Sequence, residues 1–159
     1  MAPVCSAHIT LTSPRQTSAL ATAVAARLAP GDTLLLNGPI GAGKTHFARA
    51  LIQSLLLSPE DVPSPTFTLV QTYEGRTGEI WHCDLYRITH PDEVIELGLT
   101  EAFETAICLV EWPDRLGDLA PDDALVLTFD TPPDADEMRQ LDIRGPAQRW
   151  ADFMKELTK

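Results

Sequence analysis

Basic residues are scarce in this chain. Twelve lysines and arginines stand against 23 aspartates and glutamates, giving a net charge of −11 and a pI of about 4.6. Proteins that grip RNA or DNA lean on lysine and arginine to neutralise phosphates, so direct nucleic-acid binding is not expected. A role in a nucleic-acid pathway would have to run through a partner. Cysteine is sparse as well: Cys5, Cys83 and Cys108 are odd in number and form no C-x-x-C pair. This argues against a disulfide framework or a zinc site and predicts a reducing, cytoplasmic setting. Long apolar runs are missing too. The leucine triplets at 34–36 and 55–57 are far too short to span a membrane, and MAPVCSAHITL has neither the basic start nor the apolar core of a signal peptide. No internal repeat, low-complexity tract or second domain is visible, so the expectation for 159 residues with 44% hydrophobic content is one domain, 1–159.

What the chain does have is GPIGAGKT, Gly38 to Thr45, a match to G-x-x-x-x-G-K-[ST]. Gly38, Gly41 and Gly43 permit a tight backbone cradle with N–H groups turned inward, Ala42 lies between them, and the helix that follows aims its positive end at the same place. In this pattern Lys44 bridges the outer phosphates of a nucleoside triphosphate and the Thr45 hydroxyl ligates Mg²⁺. The context is the one the motif requires. DTLLLNG (32–38) reads as a short buried strand, and Phe47, Leu51 and Leu55 mark a helix ending near Leu57.

Elsewhere, VCSAHITL (4–11) reads as an edge strand, and Ser13, Pro14 and Gln16 start a helix carrying Leu20, Val24 and Leu28. VPSPTFTLVQTYEG (62–75) and GEIWHCDLYRI (78–88) read as strands joined by a hairpin turn. Pro91 to Leu97 and Thr100 to Thr105 read as short helices, AICLVEWP (106–113) and ALVLTFDTP (124–132) as strands, TPPDAD as a turn-rich connection, MRQLDIRG as a weaker strand and AQRWADFMKEL as a closing helix. Together they predict a three-layer α/β P-loop fold with a parallel core and an antiparallel part.

Four apolar residues ending in an acid make ICLVE a Walker-B-like strand, with Glu111 where aspartate is more usual. HCDLYR places His82, Asp84 and Tyr86 on one face of a strand and Cys83 and Leu85 on the other. That alternation argues against Cys-His-Asp nucleophilic catalysis, while Asp84 is placed either to activate or to orient an attacking water. SPTFT (64–68) reads from its residues as an ST-type turn fixed by proline, the alternative being a loop that senses the γ-phosphate. His46 reads as a helix-surface residue. Trp112 reads equally as a neighbour of the nucleotide or as a core anchor.

The strings GPIGAGKTHFAR, VPSPTFTLVQTYEG, HCDLYRI, ELGL and ICLVEWP, in this order, resemble one family: the small bacterial ATPases of tRNA threonylcarbamoyladenosine biosynthesis, the TsaE (YjeE) type. LTSPRQT and RGPAQRW add weaker likeness. The resemblance runs over nearly the whole chain. It implies an ATPase, using ATP and Mg²⁺ and releasing ADP, that is needed to modify the adenosine beside the anticodon. The transfer itself belongs to a TsaD-type protein paired with a TsaB-type protein. The ATPase binds that pair, supports or resets it, and hydrolyses ATP weakly on its own. By the same resemblance Lys44 and Thr45 serve phosphate and magnesium, and Glu111 is the metal-associated acid. Thr66 falls in a switch-like loop, Asp84 is needed for hydrolysis, and the stretch with Ser13, Pro14 and Thr17 lies near the adenine, with His46 close by. Family loops often carry an acid and leucine where Pro39 and Ile40 stand, and threonine where His46 stands. Neither change removes a phosphate-binding atom. The region 85–100 is the expected partner surface. The competing expectation is a small-molecule kinase on the same loop, but no R-x-x-x-R-like lid stands out to exclude water from an acceptor.

Overall fold

The computed structural model describes residues 3–132 and 137–158; residues 133–136 of the TPPDAD connection lie outside the described residues. In chain order the elements are β1 (Val4–Leu11), α1 (Pro14–Ala25), β2 (Thr33–Asn37), α2 (Lys44–Leu55), β3 (Val70–Gly75) and β4 (Gly78–Asp84). There follow α3 (Pro91–Glu96), α4 (Leu99–Thr105), β5 (Ile107–Glu111), a 3₁₀ segment (Pro113–Leu119), β6 (Leu125–Asp130), β7 (Arg139–Pro146) and α5 (Ala147–Leu157).

The strands form one mixed sheet in the order β1-β7-β6-β2-β5-β4-β3. β6, β2, β5 and β4 run parallel, while β3 at one edge and β7 at the other side pair antiparallel, with β1 antiparallel to β7 at the far edge. The α/β class with a parallel core and antiparallel flanks is therefore the one expected from the chain. Burial explains the layering. β2 and β5 are apolar on both faces, as strands sandwiched between helices must be. Leu34, Leu36, Ile107 and Leu109 turn to a core shared with α1, α2 and α5 through Val24, Phe47, Ile52 and Trp150. Leu35, Cys108 and Val110 turn to the opposite core, closed by Val94, Leu99, Phe103 and Leu116.

Several boundaries differ from the sequence expectation for local reasons. The strand expected over 62–75 begins only at Val70, since Leu69 sits at φ 68° and its N–H bonds back to the Pro65 carbonyl. The strand expected to Ile88 stops at Asp84, whose Oδ1 accepts the Tyr86 N–H and turns the chain. β5 stops at Glu111 because Trp112 adopts φ 60°, an unusual conformation for a bulky residue. All three departures lie at the carboxyl ends of strands or in the loop facing them, where open α/β sheets place their sites.

Candidate functional site

The site begins where β2 meets the glycine loop. Gly38 turns the chain at φ 142°, and a Cβ there would lie 2.7 Å from the Phe129 carbonyl oxygen of β6, so no side chain is tolerated. Gly41 also has positive φ, but a Cβ on it would meet no atom of the described residues within 4 Å. The open space beside it belongs to a cleft of about 620 Å³. Gly43 then caps α2 without any side-chain bond to the first turn. A helix start left this way offers N–H groups to an anion. At α1, by contrast, Ser13 Oγ accepts the Gln16 N–H at 3.3 Å as N-cap, and Gln16 Oε1 reaches back to the N–H of Thr12, one residue before the cap, at 2.7 Å.

Lys44 is 4% exposed. Its Nζ donates to the Gly38 carbonyl at 2.6 Å and lies 3.4 Å from the centre of the Trp112 ring. Burial pushes the ammonium below its ordinary value, while Glu111, Asp84 and Asp114 hold it up in part. The ammonium keeps further N–H donors for a second acceptor.

Two acids face it. Asp84 and Glu111 are direct partners in the β4–β5 register, and both are almost wholly buried. Glu111 accepts from Thr45 Oγ1 at 2.8 Å through Oε1 and approaches His82 Nε2 at 2.7 Å through Oε2. Asp84 accepts from Thr66 Oγ1 at 3.2 Å through Oδ2, and Ser64 Oγ lies 2.8 Å from that same threonine hydroxyl. The SPTFT loop is thus joined to the acid. Cys83 packs in the opposite core, and burial pushes its thiol well up and that of Cys108 up to about 12, so neither is a nucleophile here.

Pro14, Thr17, Gly41, Gly43, Lys44 and Thr45 line the cleft, as do His46, Thr66, Asp84 and Glu111. Ser13, Gly38 and Ala42 do not: the first caps α1, and the other two shape the loop from behind. His46 Nε2 lies 3.0 Å from Ser18 Oγ and 3.2 Å from the Pro14 carbonyl, so it ties the first turn of α2 to the start of α1. Sequence reasoning missed Arg139, whose Nη2 donates to the Gly41 carbonyl at 3.2 Å from the start of β7. It also missed Glu137, Tyr86 and Ile40 as lining residues. Nothing local signals Arg139, which reaches the loop only because β7 lies beside β6. Trp112, left open between two roles, lines the cleft, meets Tyr86 ring to ring at a tilt of 56° with centres 5.0 Å apart and covers Lys44.

These residues fit a phosphate chain and a hard divalent cation. The cleft offers an uncapped helix start, a lysine ammonium and an unfilled space at Gly41 for anionic oxygens. Thr45 and Glu111 supply adjacent hydroxyl and carboxylate oxygens, the donor chemistry that suits Mg²⁺.

A glycine loop between a buried strand and a helix, with acids at the ends of neighbouring parallel strands, defines a P-loop fold. The family model described as threonylcarbamoyl adenosine biosynthesis protein TsaE matches residues 11–141. The chain is 43% identical over 111 residues to the tRNA threonylcarbamoyladenosine biosynthesis protein TsaE of Rickettsia bellii, covering 70% of this chain and 77% of that one. It is 33% identical over 148 residues to the protein of the same name from Bacillus subtilis, covering 92% and 90%. Among solved structures, Bacillus subtilis YdiB superposes with a TM-score of 0.77 at 27% identity, over 99% of this chain and 97% of that one. The chain belongs to the TsaE family.

Proposed function

We propose that the chain is a single P-loop ATPase domain, residues 1–159, that binds and slowly hydrolyses ATP with Mg²⁺ in the cytoplasm. It serves threonylcarbamoylation of the adenosine beside the anticodon in tRNA. It acts on a TsaB–TsaD-type pair and not on tRNA directly. The observation that carries this reading is the convergence of Lys44, Thr45, Glu111, Asp84 and Thr66 on one cleft, in a chain of this family.

Lys44 and the loop N–H groups would hold the phosphate chain, and Thr45 and Glu111 would hold Mg²⁺. The bound ion would neutralise charge on the phosphate oxygens. Lys44 stabilises the charge that grows on those oxygens during transfer, and its buried position strengthens that effect. Asp84, fixed by Thr66 and by the Tyr86 N–H, is held as an acceptor for an attacking water. Trp112 and Tyr86 line the cleft beside Lys44, and Arg139 braces the loop at Gly41. Pro14, Thr17 and His46 form the end of the cleft suited to the base.

The acidic surface supports action through partners, since it repels RNA. Among the described residues no helix is long and apolar enough to cross a membrane. Phe67, 83% exposed, lies beside the Thr66 that touches Asp84 and borders a groove with Arg87, Ile88, Glu93 and Leu97. This groove extends the expected partner region at 85–100 and gives a partner a route to the acid through Thr66.

The test is phosphate release from Mg·ATP by the protein alone and with a purified TsaB–TsaD-type pair. Slow release alone and a clear rise with the pair are expected. Unchanged release with the pair, or normal anticodon-loop modification in cells lacking the protein, would overturn the reading.

A further inference from the structure

His82 has no part in the scheme above, yet it is wholly buried at the centre of the site's foundation. It stands on β4 on the face that carries Ile80 and Asp84, next to the strand bearing Leu109 and Glu111. Its Nε2 lies 2.7 Å from Glu111 Oε2, and its Nδ1 is buried with no hydrogen-bond partner among the described residues. A buried ring nitrogen left unmet costs free energy, so packing alone does not account for a histidine at this position. Its geometry does. Glu111 Oε1 takes the proton of Thr45 Oγ1, and a hydroxyl has one proton and two lone pairs.

We propose that His82 is a positioning residue: by donating Nε2–H to Oε2 it fixes the rotation of the Glu111 carboxylate, which in turn holds the Thr45 hydroxyl with its lone pairs free for Mg²⁺. Nδ1 has no hydrogen-bond partner among the described residues, so Nε2 is the ring nitrogen through which His82 reaches the site. Outer partners of this kind set the affinity of a site for its metal without touching it. The inference rests on reading Thr45 and Glu111 as the magnesium residues.

The experiment compares wild type with His82→Gln, whose amide reaches the position of Nε2, and His82→Asn, whose amide is too short. Affinity for N-methylanthraniloyl-ADP is measured by fluorescence in excess Mg²⁺ and in EDTA, and Mn²⁺ binding to each protein–ADP complex is followed by electron paramagnetic resonance. His82→Asn should lose roughly tenfold in Mn²⁺ affinity and most of the gain that Mg²⁺ gives to ADP. Its affinity in EDTA should match wild type, and His82→Gln should recover most of the loss. If wild type shows the metal gain and His82→Asn keeps it, or if the variant weakens binding equally in EDTA, the role of His82 is overturned while the site reading stands. If wild type binds ADP with no metal gain, the assignment of Thr45 and Glu111 fails and the role of His82 falls with it.

Discussion

Asp84 and Glu111 are the same kind of group in nearly the same place. They end adjacent parallel strands, face each other in register and sit below the same lysine. Their partners separate them. Glu111 is bonded to Thr45 on α2 and His82 on β4, two elements anchored in the core, so it has little freedom to move. Asp84 is bonded to Thr66 on a segment outside regular structure and to the N–H of Tyr86 just past its own strand. One acid belongs to the fixed frame and the other is linked to a loop bearing an exposed phenylalanine. On the function proposed here, this difference gives binding to the first and control of turnover to the second.

The comparison should break most completely at Lys44, which both acids share. Lys44→Ala is expected to lower phosphate release roughly 100-fold or more, since one lost donor to a developing charge costs about that much. Titration with labelled ATP should show weakened binding as well. Next comes Glu111→Gln. Its magnesium-dependent nucleotide affinity should fall by at least the roughly 10- to 100-fold that loss of an outer partner costs a metal site, as equilibrium binding with and without Mg²⁺ would show. Thr66→Val should be milder. Losing one hydrogen bond to Asp84, about 1 kcal/mol, should slow release roughly fivefold with ATP affinity unchanged. A pH series sharpens the contrast from another side. Burial lowers the Lys44 value in the free protein, so ATP affinity should drop as pH rises, the fall beginning below 10.5. In the nucleotide-free protein the same shift makes stability rise with pH between the folded value and 10.5, because the unfolded chain holds the proton longer there.

Much of this was readable in the chain because it is local. The glycine loop, the Ser13 cap, the strand ending in Glu111 and the helix AQRWADFMKEL each announce themselves through spacing or turn chemistry. The pairing of β1 with β7 and the reach of Arg139 to Gly41 join residues about a hundred or more positions apart, and no window of sequence contains them. The His82–Glu111 contact was half readable. Strand alternation put His82 on the face of Asp84, but its partner depended on which strand lies beside β4. Trp112 over Lys44 was not readable, since it requires a tryptophan at positive φ just after a strand.

The most direct test of the division between the acids is Asp84→Asn, followed for both Mg·ATP affinity and phosphate release from the bound complex. Affinity close to wild type is expected, with release slowed by about 10²- to 10⁴-fold, the range of a positioned base. Affinity lost as steeply as in Glu111→Gln, or release at the wild-type rate, would contradict that division.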